Sequence, residues 1–100
     1  MLAFISVAPT DHWEHMSPHI AKVLRLVQAS GLDYELGAMG TCIEGEPDAV
    51  FRLLQEMHMA MRQDSKRVST LIKIDDQVDR PMGRLREKIS SVKSKMESEA

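Results

Sequence analysis

The sequence predicts an α+β sandwich: a four-stranded antiparallel sheet in β-α-β-β-α-β order, with an extra C-terminal helix. Three observations carry this. Residues 2–8 are a short apolar run and residues 67–75 alternate with period two, as strands do. Between them lie two apolar stripes at helical spacing and a Gly-rich break flanked by alternating runs. The C-terminal segment holds one narrow apolar stripe. The 100 residues make one domain, residues 1–100. A chain of this size buries roughly two thirds of its unfolded surface, enough for a single core.

The first element, "LAFISVA", is apolar and closed by Pro9, which suits a central strand. The loop "PTDHWEHMS" follows, and Ser17-Pro18 then supplies an N-cap and a proline at the first helical position. Ile20, Val23, Leu24 and Val27 fall on one helical face, and Gly31 sits where a left-handed C-terminal residue belongs. "YELGAMGTCIEGE", residues 34–46, reads as a hairpin around Gly37-Ala38-Met39-Gly40. Gly45-Glu46-Pro47-Asp48 starts a second helix, with proline near its first position and acids at the positive end of its dipole. Val50, Leu53, Leu54, Met57 and Met61 form its buried stripe. "RVSTLIKID" sets Val68, Thr70, Ile72 and Ile74 against Ser69, Leu71 and Lys73, giving one apolar and one mixed face. "DQVDRPMG" leads to the last helix, placed within residues 81–100, with the stripe Leu85, Ile89, Val92 and Met96. This is the split-βαβ, ferredoxin-like order, and right-handed crossovers put the first and third strands in the middle.

Composition excludes several classes. Hydrophobic content of 43% with interspersed charge fits a folded, soluble chain. A net charge of −2 leaves no basic footprint for nucleic acid. The single cysteine rules out an intrachain disulfide framework and fits a reducing, cytoplasmic compartment. The N-terminal apolar run lacks a basic flank and is too short for a signal peptide or a membrane span.

Alternation assigns the faces. Ile5, Val7, Ile43, Ile72 and Ile74 are expected to meet the helices. Phe4, Ser6, Glu35, Cys42, Glu44, Ser69, Leu71 and Lys73 then point the other way. Leu2, Phe4 and Leu71 would form an apolar patch there, which predicts self-association. The last helix also needs a surface for its stripe, from a neighbouring subunit or from its own domain.

These residues resemble the small thiamine-binding protein family. The likeness spans residues 2–96 and rests on "ISVAP", "SGLDYELGAMGTCIEGE" and "RVSTLIKIDD". Within the hairpin, Tyr34, Glu35, Gly37, Met39, Gly40, Thr41, Glu44 and Gly45 match one by one; Arg67, Ser69, Lys73, Ile74 and Asp75 match the fourth strand. The resemblance implies a ferredoxin-like domain that binds thiamine or its hydroxymethylpyrimidine moiety without a catalytic step or a further cofactor. It also implies a homotetramer, a dimer of dimers with extended sheets. Two departures stand out. The loop after the first strand, small and Pro-Leu-Gly-Thr-like in the family, is here "PTDHWEHMS", and Gln77 stands where the family places a basic residue.

An aminopyrimidine offers ring nitrogens, an exocyclic amine and a flat π-face. Glu44 is a candidate acceptor for the amine, Thr41 or Ser69 a donor to a ring nitrogen, and Met39, Phe4 or Tyr34 a cover for the ring. Each has an ordinary role beside it. Glu44 can pair with a cation or cap the turn before Pro47, and Thr41 and Ser69 can be plain strand residues. Lys73 is read as pairing with Glu44 or Asp75. The alternative function is a metal or small-metabolite sensor using His12, Glu14, His15 and His19, but the spacing is loose and Pro18 divides the set, so these are read as surface histidines. Met57 and Met61 belong to the core, Cys42 is read as a small buried residue, and Trp13 either lids a pocket or packs over the first helix start. A purely structural oligomerisation module is the third reading.

Overall fold

The computed structural model describes residues 1–11, 17–80 and 82–99. In chain order these form β1 (Leu2–Pro9), α1 (Ser17–Ser30), β2 (Asp33–Leu36), β3 (Thr41–Glu44), α2 (Pro47–Asp64), β4 (Val68–Asp75) and α3 (Arg84–Glu99). The strands make one antiparallel sheet in the order β2-β3-β1-β4, so the first and third strands are central, as the crossover rule requires. The loop carrying His12, Trp13, Glu14 and His15 lies outside the described residues, as does Pro81.

Cross-strand pairs share a face, and the register sorts the side chains. Ile5 lies between Thr41 and Ile72, and Ala3 between Ile43 and Ile74. On this inner face α1 and α2 bury Ile5, Ile43, Val23, Val27, Val50, Met57 and Met61. Each such side chain contributes about 1.5–3 kcal/mol of transfer free energy. The stripe predicted for α2 is buried in full. Of the α1 stripe, Val23 and Val27 are buried, while Ile20 and Leu24 are half-covered. Gly31, at φ 77°, ends α1, and the Ser30 hydroxyl accepts from the Leu32 N–H to close the turn. Pro47 stands in the first turn of α2, where its missing N–H removes nothing.

Two expectations need correction. Ile72 and Ile74 do face the helix side, but they remain 42% and 40% exposed. The reason is position: β4 is an edge strand, and α2 lies chiefly over its neighbour β1. Alternation fixes which face a residue takes and says nothing about whether anything covers it. The outer face differs as well. Leu2 is buried and Phe4 half-buried, because α3 docks on its own sheet with Leu85 beneath it; of the expected patch only Leu71, 64% exposed, stays open. The docking is partial. Val92 and Met96 are 58% and 66% exposed. The radius of gyration is 15.1 Å, against about 13 Å for a compact chain of this length, as a helix with a projecting distal half requires.

Candidate functional site

The hairpin turn is built by close approach. The Gly37 N–H donates to the Gly40 carbonyl at 2.9 Å. A Cβ on Gly40 would lie 2.3 Å from the Phe4 ring and 2.9 Å from the Ile5 carbonyl oxygen, so only glycine fits there. Beside this turn, strand lengths do not match. β3 pairs with β1 only as far as Ile5↔Thr41, whereas β4 follows β1 to Pro9↔Val68. Peptide groups of residues 6–8 that point away from β4 therefore have no strand partner among the described residues. They border a cavity of about 330 Å³, closed by the turn and by Ile20, Val23 and Leu24 of α1. Thr41 lines it, only 3% exposed, and its hydroxyl makes no hydrogen bond among the described residues.

The six residues expected at one site divide between the two faces. Thr41 and Met39 meet at the cavity, with Met39 86% exposed at its mouth. Tyr34 lies opposite Ile43 on the inner face and borders a separate shallow cleft against α1. Phe4 is on the outer face, with its ring against Gly40 of the cavity's wall. Ser69, opposite Ala8, is exposed on the outer face. Glu44 is there too, and it is engaged. Its Oε1 accepts from the Gly83 and Leu85 N–H groups at 3.1 and 3.3 Å, and its Oε2 from Arg84 N–H at 2.9 Å. The carboxylate thus caps α3 and faces the positive end of its dipole, a different capping role from the turn before Pro47.

A second cavity, about 410 Å³, lies under α3, lined by Leu2, Phe4, Cys42, Lys73, Leu85 and Ile89 among others. Cys42, read as buried, is half-buried here with a free thiol. The charges around it are mostly committed. Arg86 donates to Asp33 and Glu35 at 2.9 and 2.7 Å, and these acids raise its pKa, Asp33 foremost. Arg84, whose buried Nε is the one side-chain N or O atom of its kind without a partner among the described residues, donates to Asp75 at 2.9 Å, with Lys88 at 3.0 Å. Hydrogen bonds from Arg84 and then Lys88 hold the Asp75 carboxyl below the ordinary range. Among the described residues the ion pair expected for Lys73 does not form, because α3 has taken both Glu44 and Asp75.

Elsewhere, His19 faces Asp64 at 3.4 Å with Lys22 beside it, and Lys22 is the first cause of that carboxyl's lowered pKa. No group of three potential metal ligands occurs among the described residues. The cavity-lining residues of α1 and residues 6–8 were read only as core and strand. What marks them is the mismatch between a long first strand and a short third one, which shows only with the register in hand.

A family model described as thiamine-binding protein matches residues 3–93. A UPF0045 protein of Methanothermobacter thermautotrophicus is 36% identical over 83 residues, covering 81% of this chain and 83% of its own. The crystal structure of a hypothetical protein from Methanocaldococcus jannaschii superposes with a TM-score of 0.77 at 27% identity, covering 89% of this chain and 94% of that one. A crystal structure from Thermotoga maritima, described provisionally as a thiamine biosynthesis/salvage protein, gives 0.79 at 23% identity over 91% and 96% of the two chains, which bears on fold alone.

Proposed function

Because the chain belongs to the thiamine-binding protein family, we propose that it binds an aminopyrimidine, as free hydroxymethylpyrimidine or as that ring of thiamine, in the cavity at the hairpin turn. The observation that supports this reading is the open strand edge beside Thr41, whose hydroxyl makes no hydrogen bond among the described residues. An aminopyrimidine edge alternates donors and acceptors as a peptide edge does, and its faces suit the aliphatic walls and the Met39 thioether. Thr41 donates to a ring nitrogen. The lining side chains are aliphatic, thioether and hydroxyl groups, so the role is binding without turnover. Glu44, spent on α3, is left out of the contact set.

Self-association belongs to the same proposal. β4 presents an eight-residue edge carrying Leu71, Ile72 and Ile74, and α3 presents Val92 and Met96. Pairing of two β4 edges gives a dimer with one extended sheet, and the projecting helices join two dimers into a tetramer. No helix among the described residues is long and apolar enough to cross a membrane. The single cysteine fits a cytoplasmic location.

Titration calorimetry of the full chain with hydroxymethylpyrimidine and thiamine tests the binding. The expected result is saturable heat and a melting temperature that rises with ligand. Thr41→Val should weaken affinity roughly two- to twelvefold, the range for one neutral hydrogen bond. No heat and no thermal shift at millimolar ligand would overturn the pyrimidine reading and leave self-association, which the open β4 edge favours, to stand without it.

A further inference from the structure

The cavity under α3 is left unused by the pyrimidine reading. We propose that it binds a small amphipathic carboxylate, with the apolar body beneath α3 and the carboxylate at the Lys73 ammonium. The groove is already formed. Its roof is fixed at one end by Glu44, which holds the Gly83, Arg84 and Leu85 N–H groups, and along one side by Arg86 on Asp33 and Glu35. A space of about 410 Å³ is within the range of ligand pockets and needs no opening.

The walls set the body of the ligand. Leu2 and Phe4 come from β1, Leu85 and Ile89 from α3, and Phe4 lies in register between Cys42 on one side and Lys73 on the other. The charge sets the head. Both acids on the rim are already paired, Glu35 with Arg86 and Asp75 with Arg84 and Lys88. Lys73 has no ion pair or hydrogen bond among the described residues, so an anion reaching it displaces nothing, whereas a cation meets an unopposed ammonium. A bare phosphate would leave the apolar walls unused. A carboxylate on a short aliphatic or aryl body uses both.

Octanoate is the probe, and octanol its neutral counterpart, titrated into the full chain. Octanoate should bind once per chain and more tightly than octanol. Lys73 is exposed, so Lys73→Met keeps the fold; it should weaken octanoate at least tenfold and leave octanol unchanged. Ile89→Trp, which fills the groove, should block both ligands with an unchanged circular dichroism spectrum. Thr41→Val should affect neither, which separates this site from the hairpin cavity. Absence of octanoate binding, equal losses for octanoate and octanol in Lys73→Met, or a loss in Thr41→Val would each overturn the proposal.

Discussion

The two faces of the sheet are closed by different physics. The inner face is closed by apolar stripes, the α2 stripe buried in full and Val23 and Val27 of α1 with it, over the central strands' Ala3, Ile5, Val7 and Ile43. The outer face is closed by one helix that buries Leu85, half-buries Ile89 and leaves Val92 and Met96 out. What holds that helix is polar: a carboxylate at its first turn, Arg84 on Asp75, and Arg86 on Asp33 and Glu35. Apolar burial resists pH and salt, whereas exposed ion pairs are screened and weak. The inner face should therefore set global stability and the outer face local opening.

The sharpest way to break this comparison is a large-to-small change on each face. Met57→Ala, in the fully buried α2 stripe, should cost about 2–5 kcal/mol in denaturant unfolding. Leu85→Ala should cost less globally and should instead speed amide exchange in α3, because the helix opens before the sheet does. Equal global losses would show that α3 folds as one unit with the core.

Next in size is Glu44→Ala. It leaves three N–H groups at the start of α3 without their acceptor, which costs about 1–3 kcal/mol if they stay buried and less once the helix end reaches water. Glu44→Gln keeps one acceptor oxygen and should fall between Glu44→Ala and the parent. In both variants pyrimidine binding should be unchanged, since Glu44 and Thr41 point to opposite faces of β3. Reduced pyrimidine affinity with α3 still docked would return Glu44 to the site.

This residue also shows where sequence reasoning stops. The α2 stripe was legible to the residue, because i, i+3, i+4 spacing is a local property and the buried face follows from it. Strand order followed from the handedness of the crossovers. Glu44 was legible as a hydrogen-bond acceptor, a cation's partner or a cap of the turn before Pro47, and not as the cap of α3. Its partners are about forty positions away, and no local pattern joins the end of β3 to the first turn of α3. Thr41 and Glu44 looked like one site because they are close in sequence, yet an odd separation on a strand puts them on opposite faces. The cavity itself comes from β3 ending where β1 continues, a relation between two strands that appears only once the register is known.

The distal half of α3 sharpens the comparison from outside. Val92→Lys with Met96→Lys changes two exposed residues, so the stability of the single chain should move by no more than about 0.5 kcal/mol per site. The mass in light scattering should nevertheless drop, because in the proposed tetramer those side chains join neighbouring copies. Removing residues 81–100 should do more: it uncovers Leu2 and Phe4 as well, and should lower the mass or cause aggregation. A monodisperse monomer of the full chain at micromolar concentration would defeat the assembly.

The smallest expected effect is the response of the outer face to acid. Asp75 has its carboxyl pKa lowered below 3.8 by hydrogen bonds from Arg84 and then Lys88. A carboxylate whose pKa is depressed on folding stabilises the docked state above its unfolded value, and that stabilisation is lost as pH falls through the lower, folded value. Acid should thus loosen α3 at pH below 3.8, while neutral and alkaline pH leave this clasp intact. Asp75 is solvent-exposed enough for screening, so added salt should shrink the effect. Asp64, bridged to Lys22, is shifted in the same direction between α1 and α2, but there the buried stripes carry the contact and should hold. Amide resonances of α3 should therefore shift with acid before those of Val23, Val27 or Met57 do. Asp75→Asn should abolish the early step, and a single transition shared by both faces in the parent would show that the clasp does not act separately from the core.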